Sequence, residues 1–149
     1  MPSVYLLLGT NLGDRRANLA AAMRALEGQF GKPEAVSQIA ETEAVGFDGP
    51  AFLNCVARYR TRRRPHTILK VCKAIEHDMG RREKMEFRPD GTRIYHDRVI
   101  DIDILLYCPV RSASAAPGGS IVLDTPKLTI PHPQVESRAF VRPLLEEVL

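Results

Sequence analysis

Apolar and polar positions alternate along this chain in two distinct periods, and the changes of period mark out its elements. Val4-Tyr5-Leu6-Leu7-Leu8 is a short apolar run closed by Gly9, the pattern of a buried strand. Gly9-Thr10-Asn11-Leu12-Gly13 is turn chemistry, and Asp14 suits the cap or first turn of a helix. Leu19, Met23, Leu26 and Phe30 then recur at helical spacing until Gly31 and Pro33 stop the helix. A second strand is predicted over Val36–Thr42 and a loop over Glu43–Pro50. In a third strand, Phe52–Thr61, Leu53, Cys55, Ala57 and Tyr59 alternate with Asn54, Val56, Arg58 and Arg60. Pro65 opens a second helix that presents Ile68, Cys72, Ile75 and Met79 on one face, with Gly80 as its C-cap. A polar, basic segment from Arg81 to Arg98 turns at Pro89-Asp90-Gly91 and leads into a strand over Val99–Tyr107. Ser112–Ser120 reads as a mobile surface loop, Ile121-Val122-Leu123 as a short strand, and Pro131, Pro133 and Pro143 break up the tail before Leu144–Leu149.

Strand, helix, strand, strand, helix, strand is the order of an α+β, ferredoxin-like fold, a largely antiparallel sheet with helices on one face. Neither an internal repeat nor a linker interrupts it, so residues 1–149 are expected to form a single domain. No apolar run approaches the roughly 18–20 residues that span a bilayer. The opening Met1-Pro2-Ser3-Val4 has no basic region of the kind that begins a signal peptide. Cys55, Cys72 and Cys108 are odd in number and scattered, which points to buried reduced thiols in a cytoplasmic protein.

Charge sharpens the picture only in the middle third. The net charge is +3, concentrated in Arg62-Arg63-Arg64 and again in Arg81, Arg82, Lys84, Arg88, Arg93 and Arg98. So modest a surplus favours small anionic ligands over a long nucleic acid, and the absence of Trp argues further against RNA stacking.

The most informative polar positions are Asp101 and Asp103. On a strand, Ile100, Ile102 and Ile104 face one way and the two carboxylates the other, about 6.5–7 Å apart along the strand. Two carboxylates so placed are either ordinary solvent-facing acids or a seat for a hard cation through oxygen ligands. Arginines nearby add the forked donors that a phosphate-bearing ligand requires; alternatively they line a solvated basic loop. His132, framed by Pro131 and Pro133, is either structural or part of the same site. The glycine turn lacks the G-x-x-x-x-G-K-[ST] pattern of a P-loop, and no nucleophile signature is present.

In order along the chain, Gly9-Thr10-Asn11-Leu12-Gly13, Phe52-Leu53-Asn54, Ile75-Glu76 with Gly80-Arg81, Arg98-x-x-Asp101-x-Asp103-Ile104-Leu105, Leu128-Thr129-Ile130-Pro131-His132 and Arg138-x-Phe140 resemble the 6-hydroxymethyl-7,8-dihydropterin pyrophosphokinase family. The resemblance spans essentially the whole chain. It implies a ferredoxin-like fold, ATP as co-substrate, two Mg²⁺ ions and a role in folate biosynthesis. Asp101 and Asp103 would hold both ions between the triphosphate and the substrate hydroxyl, with Arg81 and Arg98 as further catalytic residues. Arg81, Arg98, His132 and Arg138 would contact ATP phosphates, Ile104 and Thr129 the adenine, and Lys73, Glu76 and Arg82 also belong with ATP. Thr42, Glu43, Val45, Phe52, Asn54, Asp101 and Phe140 would form the pterin pocket, the ring lying between two aromatic side chains. Lys73 stands where the family usually has Gln, Glu83 replaces a commonly basic residue, and Tyr95-His96-Asp97 replaces Trp-Gly-Pro. The resemblance implies ATP and a dihydropterin as the small-molecule partners of a monomer, with no nucleic acid and no membrane. A metal-dependent nucleotide hydrolase and a ferredoxin-like RNA-binding module are the competing readings. The first would need no second, flat substrate, and the second predicts exposed aromatics on the central strands.

Overall fold

The computed structural model describes residues 1–44, 49–80, 86–87, 89–90, 93–94, 99–109 and 119–149. Its centre is a five-stranded antiparallel sheet. The strands are β1 (Ser3–Thr10), β2 (Ala35–Val36), β3 (Ala40–Thr42), β4 (Phe52–Arg60) and, numbered later in the chain, β7 (Asp101–Cys108). Helix α1 (Arg15–Phe30) joins β1 to β2, and α2 (Pro65–Asp78) joins β4 to β7. The sheet order is β2-β4-β1-β7, with β3 also paired to β4. Each helical crossover therefore skips one strand and the two crossovers interleave, which is the ferredoxin-like plan.

Local chemistry accounts for these elements. Every residue of β1 is buried: the strand lies between β4 and β7, and apolar clusters cover both faces along Val4–Leu8. Asp14 caps α1 by accepting from the Ala17 amide at 3.1 Å, and Leu19, Ala22 and Leu26 face the core. Gly31 ends α1 with φ of +82°, a conformation that side chains with a Cβ resist. Pro65 occupies the first turn of α2, whose Ile68, Cys72 and Ile75 are buried. Together these side chains pack onto Val4, Leu6, Leu8, Leu53, Cys55, Ala57, Ile102 and Ile104 in one apolar layer.

Three expectations change. The strand predicted over Val36–Thr42 divides into β2 and β3, because Ser37 inserts its own hydroxyl: the Val56 amide donates to Ser37 Oγ at 2.8 Å. The tail is not merely broken by prolines. It forms two short helices, α3 (Gln134–Ser137) and α4 (Val141–Glu146), with Pro143 in the first turn of α4, where its missing N–H is harmless. Helices on one face describes α1 and α2 only. α3 and α4 cover part of the opposite face, where Tyr5, Leu7 and Val56 present a second apolar patch to Val135, Val141, Leu144 and Leu145. The Arg58 guanidinium donates to the Val148 carbonyl and lies 3.4 Å from Glu34, which ties the end of this segment to β4.

Two small hairpins complete the described residues. β5 (Glu86–Phe87) pairs with β6 (Arg93–Ile94) across the turn expected near Pro89 and Asp90. β8 (Leu123–Asp124) pairs with β9 (Thr129–Ile130). The predicted loop at Ser112–Ser120 lies outside the described residues except for Gly119 and Ser120. The three cysteines are free and buried, and burial pushes the thiols of Cys55 and Cys72 up to about 11 and about 12. They are protonated and unreactive near neutral pH. Among the described residues no helix is long and apolar enough to cross a membrane.

Candidate active site

Asn54, Gly9, Asp101 and Asp103 lie on the sheet face away from α1 and α2, and at the β7 edge Lys73 and Ile104 reach the same region from the helix side. In an antiparallel ladder, directly opposed residues point to the same face. Gly9 on β1 is opposite Asn54 on β4 and Asp101 on β7, and Leu7 is opposite Asp103. Asn54, Gly9 and Asp101 therefore form one polar row across three strands, and Asp103 stands one pleat along. A side chain at position 9 would close this row: a Cβ there lies 3.1 Å from Asn54 Oδ1 and 3.6 Å from the Phe52 ring.

Toward β3, Asn54 is buried, and its amide donates to the Ala40 carbonyl at 3.2 Å and to Thr42 Oγ1 at 2.9 Å. Its donors are used within the protein, so its Oδ1 is the group it offers to a ligand. Phe52 and Thr42 are paired across the ladder. Thr42, Phe52 and Asn54 are thus brought together as expected, and Glu43 follows β3 as an exposed residue. Val45 lies outside the described residues.

On the β7 side the sheet ends in a cleft of about 270 Å³, lined in part by Lys73, Asp103, Ile104, Leu128, Thr129 and His132. The cleft joins Ile104 and Thr129, the pair expected around adenine, to Asp103 and His132. His132 Nε2 is 4.0 Å from Asp103 Oδ1, and the Gln134 side chain donates to Asp103 Oδ2 at 3.1 Å. Burial and the charge of Asp101 push the Asp103 carboxyl above the ordinary carboxylate range, while His132, Gln134 and Lys73 pull it back.

A bulge in β7 sets this geometry. The register against β1 shifts between Tyr5 and Leu6, so Leu105 is an extra residue in the ladder. Beyond it the faces exchange: Ile102 and Ile104 pack with α1 and α2, whereas Leu105 and Leu106 both join the other cluster. The Leu105 carbonyl accepts from the His132 amide at 2.9 Å and holds that histidine against the strand beside Asp103.

Glu76 is placed differently from a surface ligand. It is 1% exposed, and its Oε2 accepts from the Ile102 amide, between the two aspartates, at 2.7 Å. Lys73 Nζ is 3.7 Å from its other oxygen. An acid on α2 thereby satisfies an edge N–H of β7 and fixes the strand that carries both carboxylates. Arg138 stacks on Phe140, Cζ 4.8 Å from the ring centroid, so an expected ATP contact and an expected pterin contact meet. Arg81, Arg82 and Arg98 lie outside the described residues. Sequence reasoning missed Gln134 and the bulge at Leu105. A polar residue at a short helix start carries no periodic signal, and a bulge depends on the partner strand.

The carboxylates suit a magnesium ion. Among the described residues no cluster of three or more His, Cys, Asp or Glu forms a closed metal cage. Mg²⁺ is commonly held by one or two carboxylates, with phosphate oxygens and waters completing its shell. Two same-face aspartates, with the Asp103 carboxyl pushed up first by burial and then by the charge of Asp101, meet that description.

The chain matches the family model for 7,8-dihydro-6-hydroxymethylpterin-pyrophosphokinase over residues 5–149. It is 42% identical to the 2-amino-4-hydroxy-6-hydroxymethyldihydropteridine pyrophosphokinase of Porphyromonas gingivalis over 149 residues, covering 99% of this chain and 91% of that protein. It is 38% identical to the protein of the same name from Aquifex aeolicus, covering 98% of this chain and 80% of that one. With the Bacillus subtilis protein of that name it shares 31% identity, over 97% of this chain and 76% of the other.

Proposed function

Since the chain belongs to the 7,8-dihydro-6-hydroxymethylpterin pyrophosphokinase family, we propose that the row Asn54–Gly9–Asp101 and the cleft at Asp103 are the two halves of its active centre. The enzyme transfers pyrophosphate from ATP to the hydroxymethyl group of 6-hydroxymethyl-7,8-dihydropterin, in folate biosynthesis. The observation that carries the site reading is the place of the two aspartates. Asp101 adjoins the pterin-side row, and Asp103 lines the cleft with Ile104 and Thr129.

In this reading the hydroxymethyl oxygen attacks the β-phosphorus of ATP, the bond from that phosphorus to the α-phosphate bridging oxygen breaks, and AMP leaves. The substrate hydroxyl loses its proton, and no protein nucleophile takes part. Thr42, Phe52, Asn54 and Phe140, with Glu43 and Val45, bind the pterin. Aromatic faces suit its flat ring, and Asn54 Oδ1 suits one of its N–H groups. Ile104 and Thr129 surround the adenine. His132, Arg138, Lys73, Arg81, Arg82 and Arg98 hold phosphate oxygens, with Arg81 and Arg98 beside the transferred group. Glu76 serves ATP from behind, by holding β7. Asp101 and Asp103 are the residues for two Mg²⁺ ions, which when bound neutralise charge on the phosphates and polarise the β-phosphorus. The protein's own contribution is mainly positioning. The chain works as a single domain and a monomer, and its three buried thiols suit the reducing cytoplasm.

AMP release in the presence of Mg²⁺ tests the reading. It should require both ATP and the dihydropterin and stop when EDTA removes the metal. Equal AMP release without the pterin would identify a nucleotide hydrolase instead.

A further inference from the structure

Gln134 donates two hydrogen bonds, one to His132 and one to Asp103. The Gln134 backbone N–H donates to His132 Nδ1 at 3.1 Å. Nδ1 is therefore the acceptor, and the neutral imidazole carries its proton on Nε2, the nitrogen facing Asp103 Oδ1 at 4.0 Å. The Gln134 side chain donates to Asp103 Oδ2 at 3.1 Å. Residue 134 thus orients the histidine through its backbone and the aspartate through its side chain. Its own position is secure. The Arg138 amide donates to its carbonyl at 3.0 Å, and the adjacent Val135 is 3% exposed within the apolar cluster under α4.

We propose that Gln134 is a positioning residue that holds the Asp103 carboxylate for its cation without supplying one. A carboxylate on an edge strand has rotamer freedom, and Asp101 repels it. A neutral amide on Oδ2 fixes its plane and leaves its negative charge intact. A lysine at the same place would also donate, but would supply the charge that a metal otherwise supplies. The proposal rests on Asp103 being a metal ligand.

The test measures free Mn²⁺ by its paramagnetic resonance signal while the metal is titrated into full-length protein with α,β-methylene-ATP. Gln134→Met keeps the length of the side chain and removes the donor. It should weaken Mn²⁺ binding by roughly tenfold, the low end of the range for partners that orient metal ligands. Gln134→Lys should weaken binding at least as much, although it restores a donor. In steady-state kinetics, Gln134→Met should raise KM for ATP and leave KM for the pterin unchanged. Mn²⁺ binding within twofold of the unsubstituted protein in Gln134→Met, or undiminished binding in Gln134→Lys, overturns the proposal. Asp103→Asn is the separate control: if it too binds Mn²⁺ normally, Asp103 is not a metal ligand and the site reading itself fails.

Discussion

The two faces of the central sheet use the same strands for opposite purposes. Toward α1 and α2, Val4, Leu6, Leu8, Leu53, Cys55, Ala57, Ile102 and Ile104 make a closed apolar layer. The other face changes along its length. Under α3 and α4 it is apolar, with Tyr5, Leu7 and Val56; Asp103, opposite Leu7 and held by Gln134 at the start of α3, marks the boundary, and beyond it stand Asn54, Gly9 and Asp101. Strand period two is what permits this: each residue serves one face, so a strand can be half core and half chemistry. The comparison teaches that stability and activity should be separable by substitutions at adjacent positions of one strand.

The largest effect should come from the polar end. Asp101→Ala and Asp103→Ala are each expected to lose at least roughly a hundredfold in pyrophosphoryl transfer at saturating Mg²⁺. Neither removes apolar packing, so the metal-free protein should melt at the same temperature or higher. The sign follows from Asp103. Its carboxyl takes up a proton more readily folded than unfolded, so stability falls as pH rises from the ordinary carboxylate range through the raised folded value. Above that window the ionised side chain is a net load on the metal-free fold, and Asp103→Ala should flatten that slope in melts across pH. Near-normal activity in either variant would reduce the pair to solvated acids.

The closed face should respond in the opposite way. Leu6 is fully buried between α1, α2 and the sheet, so Leu6→Ala should destabilise the protein by about 2–5 kcal/mol in urea titrations. Activity per folded molecule should be retained. A loss of kcat as large as that of the aspartate variants would show that the two faces are not independent.

A smaller effect probes the boundary between them. Phe140 packs against the α3–α4 cluster and carries Arg138 on its ring. Phe140→Ala is expected to weaken pterin binding by about 1–3 kcal/mol, the range for losing a stacked ring. ATP binding should change by less than about 1 kcal/mol, the scale of one exposed cation–π contact. Equal losses for both ligands in calorimetry would remove Phe140 from the pterin side.

The local patterns determined much of this. Period two was enough to put Leu53, Cys55, Ala57 and Tyr59 on one side of β4 and Asn54 on the other, and the structure places them so. The same period turned both aspartates away from Ile102. Asp14, Gly31 and Pro65 marked helix ends because caps act within a few residues of themselves. The ordered motifs from Gly9 to Phe140 pointed to the family, and the comparisons establish it.

What depended on partners distant in the chain was decided only in three dimensions. The Leu105 bulge exists in register with β1 and reverses the faces beyond it, an outcome no run of β7 residues specifies. α3 and α4 are four and six residues long, too short to persist by propensity, and form where Val135, Val141 and Leu144 find Tyr5, Leu7 and Val56. Glu76 looked like a polar position near the end of α2 until the edge of β7 supplied an unpaired amide for it. Gln134 likewise acquires its meaning from Asp103, 31 residues earlier. Periodicity and capping are written into neighbouring residues, whereas a bulge, a buried carboxylate and a clamp are properties of two segments at once.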